Sequence, residues 1–154
     1  MRTEVALYID WVSAFVSFSL FMFMWARYLK NRWWGYMTLA AIFGGTLLFW
    51  SVVASVVESN GPPVSLFVVV ATVAIALVFL TWQQHKDLLW TGVIVVLLAA
   101  AAAVARTIDL DTCGSLFHFG THAIWHVSLG LSALLGTFLV VRLYERKQLG
   151  IDND

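Results

Sequence analysis

Charge is what this chain has least of: only 12% of its 154 residues are Asp, Glu, Lys or Arg, about half the share of an ordinary soluble domain. That scarcity argues against a soluble domain, and with 61% hydrophobic residues and a mean hydropathy of +0.86 it implies an integral membrane protein. Positive charge is not in excess either. The net charge is zero and no basic stripe with interleaved aromatics occurs, so the sequence gives no reason for a nucleic-acid partner. Cysteine is nearly missing: Cys113 stands alone, which excludes an intrachain disulfide and leaves the redox compartment unread. There is no convincing repeat, no low-complexity linker, and no connection long enough to hold a soluble domain.

What is present is five apolar runs, at about 5–27, 34–57, 63–82, 88–107 and 115–142, each near the ~20 residues that a spanning helix needs. The expected fold is therefore all-α, a single domain over 1–154 forming an integral membrane bundle of five transmembrane helices. The first run carries Asp10 and Trp11 early, lacks a small-residue cleavage site and is too long for a signal peptide, so it is read as a mature helix. Ala99 to Ala103 make the fourth helix smooth and closely packable. In a five-helix serpentine, Arg27, Lys30, Arg32, Lys86, Arg142, Arg146 and Lys147 fall on one side, and only Arg2 and Arg106 on the other. The positive-inside rule then puts the N-terminus outside and the C-terminus in the cytoplasm. Trp33, Trp34 and Trp82 accompany the basic residues as interfacial anchors, and that end reads as plain anchoring, with His85 a solvated loop residue.

The outer ends of the helices collect a different chemistry. His118, His122 and His126 recur at i, i+4 and i+8, which at ~3.6 residues per turn places them on one stripe of one helix face. His122 and His126 have the spacing at which one helix offers two nitrogen ligands to zinc. His118 belongs to the same candidate metal set, but lies ~12 Å along the axis from His126, too far for one tetrahedral ion to hold both. A further ligand must come from another helix or another chain. The alternative for these imidazoles is interhelical glue, each hydrogen-bonded to a neighbouring helix. Asp10, Asp109 and Asp111 fall at a similar depth. Asp10 reads either as a carboxylate that orients a histidine or as a polar group at the interface. Asp109 and Asp111 read as loop-facing and solvated, Cys113 as a small buried hydrophobe or a thiolate ligand, and Ser13 and Ser17 as packing or catalytic hydroxyls.

The segment His122-Ala-Ile-Trp-His126, following Ile108-Asp-Leu-Asp-Thr-Cys113, resembles the last two helices of the CREST superfamily of membrane hydrolases, which includes alkaline ceramidases, adiponectin and progestin receptors and myomaker-like proteins. Upstream, Tyr8-Ile-Asp10-Trp-Val-Ser13 looks like the family's third helix, which begins with an aspartate. The resemblance covers the family's helices three to seven. It implies zinc held by His122 and His126, with Asp10 as the family's carboxylate, while the family's second-helix serine and histidine have no counterpart here. His118 is outside the family motif. The deduced orientation agrees with the ceramidase-like and myomaker-like branches and runs opposite to adiponectin-type receptors.

Two functions follow as expectations. One is a zinc-dependent lipid amide or ester hydrolase, or the larger part of one, whose substrate is a membrane lipid entering sideways from the bilayer. The other is a non-catalytic bundle whose histidine stripe packs against a partner membrane subunit or a second copy. Heme is a lesser variant, since its two axial imidazoles need two helices and the deep histidines here share one.

Overall fold

The computed structural model describes residues 4–53, 64–112 and 121–150. The protein is all-α: α1 Glu4–Leu29, α2 Arg32–Val53, α3 Val64–Gln84, a one-turn 3-10 helix Lys86–Leu88, α4 Leu89–Thr112 and α5 His122–Gln148, with no strand among the described residues. Among the described residues, three of these helices contain spans long and apolar enough to cross a membrane, Val12–Leu29, Lys86–Arg106 and Ala123–Gln148, and α3 supplies the apolar stretch Val68–Gln84.

Two helix ends differ from the sequence expectation. The fourth helix continues past Thr107 to Thr112, because no glycine or proline interrupts it before Gly114. Asp109 and Asp111, read as loop-facing residues at the helix end, lie in the last turn of α4, their side chains outside those described. The fifth helix runs beyond Arg142 to Gln148, since Glu145, Arg146, Lys147 and Gln148 are good helix formers. It stops at Gly150, whose φ of 62° only glycine adopts freely, with the Leu149 N–H donating to the Glu145 carbonyl at 3.0 Å. The expected start at Ser115 lies outside the described residues.

The chain divides into two compact units, residues 1–77 and 78–154, with the division inside α3. In the first, α1 and α2 form an antiparallel hairpin around the two-residue connection Lys30-Asn31. The Asn31 side-chain oxygen accepts from the backbone N–H groups of Trp33 and Trp34 at 3.0 and 3.2 Å, capping the start of α2. Aromatic pairs then set the register: Phe23 meets Tyr36 at 5.4 Å near the turn, and Phe15 meets Phe43 edge-on at 5.3 Å further along. Gly35 permits this approach, since a Cβ there would sit 2.8 Å from the Phe23 ring.

In the second unit, α4 and α5 run antiparallel and are joined at three levels. Asp87 pairs with Arg146 at one end, the Ser132 hydroxyl donates to the Val95 carbonyl at 3.0 Å near the middle, and Arg106 lies over the Trp125 ring at the other end. Small buried residues line the seam, Gly92, Ala102 and Ala105 from α4 facing Ser128, Ser132 and Gly136 from α5. Small side chains let helix backbones come close enough for dispersion contacts, the force left to helix pairs once lipid removes the hydrophobic drive. Outside the seam, Ile94, Leu97, Val104, Val127, Leu131 and Leu134 are exposed.

Candidate functional site

The histidine-bearing end of the second unit is built by the start of α5 and the end of α4. Thr121 precedes α5, and its carbonyl accepts the Trp125 N–H at 3.0 Å, closing the first turn. His122 is the first residue of that helix and His126 the fifth, so their backbone positions are ~6 Å apart along the axis on one stripe. The His126 ring is exposed and lies 4.2 Å from the Trp125 ring, centroid to centroid. The Arg106 guanidinium stands 5.0 Å over the same indole, and the residue is 2% exposed.

Arg106 was expected only as one of two basic residues on the outer side. Its burial against Trp125 is a signal the sequence did carry, since an arginine inside an apolar run marks a site by default. The guanidinium on the indole ties the end of α4 to the start of α5 at the histidine-bearing end.

The remaining expected site residues are placed less fully. Asp10 lies within α1 and His122 at the start of α5, both with side chains outside those described; His118 and Cys113 lie outside the described residues altogether. Among the described residues no three of His, Cys, Asp or Glu gather closely enough to hold a metal ion. Ser13 and Ser17 are both exposed on α1, while Ser19 is buried with its hydroxyl unpartnered.

The opposite end of the second unit corrects the expectation of plain anchoring. His85 is not a solvated loop residue: it is 5% exposed, with Nδ1 3.4 Å from Arg146 Nη1. The reason is local. The connection after α3 coils into the 3-10 turn instead of looping out, with the His85 N–H donating to the Thr81 carbonyl at 2.7 Å and the Leu88 N–H to the His85 carbonyl at 3.0 Å. Because a guanidinium only donates, this contact is a hydrogen bond in the tautomer that leaves Nδ1 bare. Arg146 also grips both carboxylate oxygens of Asp87, Nη1 reaching Oδ1 at 3.1 Å and Nη2 reaching Oδ2. No sequence signal reveals this triad, whose members are 59 and 61 residues apart.

No protein-family model, curated protein or solved structure matches the chain. Fold and geometry define a class: an all-α protein with, among the described residues, three helices long and apolar enough to cross a bilayer, its fifth helix tied to the 3-10 turn before α4 at one end and to the end of α4 at the other.

Proposed function

We propose that the chain is a multi-pass membrane protein of five spans, N-terminus outside and C-terminus cytoplasmic, and a zinc-dependent lipid hydrolase of the CREST kind or the metal-bearing part of one. The observation that carries the reading is the register of α5, in which His122 and His126 lie one turn apart on one face at the helix start. Two imidazoles so spaced fit two of the positions of a catalytic zinc, which takes three protein ligands. When bound, zinc supplies Lewis acidity, polarising a scissile carbonyl and acidifying water. His122 and His126 hold the ion. Asp10 has the part the resemblance gives it, the family's carboxylate, which would accept a hydrogen bond from bound water or orient a ligand.

The test is the metal content of the purified protein. Stoichiometric zinc, lost together in a His122→Ala and His126→Ala double variant, supports the proposal; protein free of metal throughout about pH 6 to 8, where neutral imidazole binds zinc, ends it.

A second reading has its own observation. Arg106, buried against Trp125, is a positive charge on the indole that the His126 ring also touches. That favours a non-catalytic bundle in which this end packs against a partner chain, and a metal-free preparation that copurifies with a second membrane subunit selects it. A Soret band in the visible spectrum would select heme instead.

A further inference from the structure

At the end of the second unit opposite the histidines, a cavity of about 440 Å³ opens between the start of α4 and the end of α5. Its walls carry Asp87, Thr91, Phe138, Arg142, Glu145 and Arg146. The charges form one fixed pair and one loose pair. Arg146 is held by both Asp87 oxygens and by His85. Arg142 reaches Glu145 at 3.5 Å with both side chains about half exposed, an arrangement worth little in solvent. Arg142 also lies over the Phe138 ring at 5.0 Å, and Phe138 is itself half exposed on the apolar face that continues through Leu134 and Leu131. Trp82, Trp90 and Tyr144 are exposed at this same end, the aromatic pattern that marks the headgroup level of a bilayer.

We infer that this cavity seats the headgroup of a zwitterionic aminophospholipid, its phosphate on Arg142, its primary ammonium on Glu145, and its acyl chains over Phe138. Two carboxylates balance two guanidiniums on the walls, so a purely anionic headgroup gains no net attraction, whereas a headgroup carrying both signs meets both partners. A choline headgroup lacks the N–H donors that Glu145 accepts, and a single aromatic ring is less than the cage that quaternary ammonium groups occupy. The volume lies within the range of small-molecule sites, roughly 300 to 1,000 Å³. The inference rests on the membrane reading and is independent of the metal.

Carbonate extraction comes first: a chain washed off the membrane overturns the membrane reading and this one with it. For an inserted chain, native mass spectrometry from mixed micelles counts retained phosphatidylethanolamine, phosphatidylcholine and phosphatidylglycerol. The ethanolamine lipid is expected to be retained about tenfold more strongly, equivalent to ~1.4 kcal/mol. Arg142→Ala and Glu145→Gln are each expected to erase that preference, while Lys147→Ala, at the same end but outside the cavity, keeps it. Equal retention of the three lipids, or a preference that survives both cavity variants, overturns the seat alone. Soluble phosphoethanolamine displacing the lipid as well as the whole phospholipid does would also overturn it, by assigning the cavity to a free phosphate ester.

Discussion

Arg106 is the residue on which the histidine-bearing end turns. A guanidinium taken out of water and laid on an indole contributes up to about 2 kcal/mol through the ring quadrupole. A double-mutant cycle with Arg106→Ala and Trp125→Ala, read by reversible unfolding in mixed micelles, is therefore expected to give a coupling of about 1 to 2 kcal/mol. Additivity of the two variants would mean that the ring and the cation do not interact. The histidines separate in the same residue-by-residue way. His126→Ala is expected to release zinc, and His118→Ala to retain it, because ~12 Å of helix axis lies between those two positions. Zinc lost from the His118 variant would move the ion off the pair proposed to hold it.

Elements show where helix packing is dictated by size. A methyl group at Gly35 would meet the Phe23 ring at 2.8 Å and the Phe23 carbonyl oxygen at 3.1 Å, so the ring and backbone of α1 must shift, whereas one at Gly44 meets nothing within 4 Å. Gly35→Ala is expected to cost about 1 to 3 kcal/mol as overpacking. Gly44→Ala is expected to be neutral or to stabilise by up to about 1 kcal/mol, the helix-propensity difference between the two residues. Equal effects in thermal unfolding would contradict the packing described for the hairpin. The existence of the helices was legible, because apolar runs of this length have few other uses. Their ends were less so: the run 88–107 was closed by hydropathy, yet nothing between Thr107 and Thr112 stops a helix, and Asp109 and Asp111 stay in it. The candidate site divides the same way. The imidazole stripe could be read from spacing, whereas the contact of His85 with Arg146 forms only because the antiparallel return of α5 brings the two side by side. Pairing across 61 residues leaves no periodicity to read.

At the scale of the whole molecule the open quantity is the number of crossings, and parity makes it testable at one place. Among the described residues three helices satisfy length and apolarity, α1, α4 and α5. A chain crossing three times and one crossing five times both end on the side opposite to their start, so reporters at either end are silent; the proposed orientation has N outside and C cytoplasmic. They differ only between α2 and α3, around Asn60. From Trp33 to His85 the chain has no Lys or Arg, so nothing in that connection holds it on the cytoplasmic side. Five crossings put it outside. With Cys113 replaced by Ala, a cysteine introduced as Asn60→Cys is expected to react with a membrane-impermeant maleimide in intact cells, and one introduced as Gln84→Cys to react only after the membrane is opened. Protection of position 60 in intact cells, with labelling on lysis, would instead fold α2 and α3 back on the cytoplasmic side and leave three crossings.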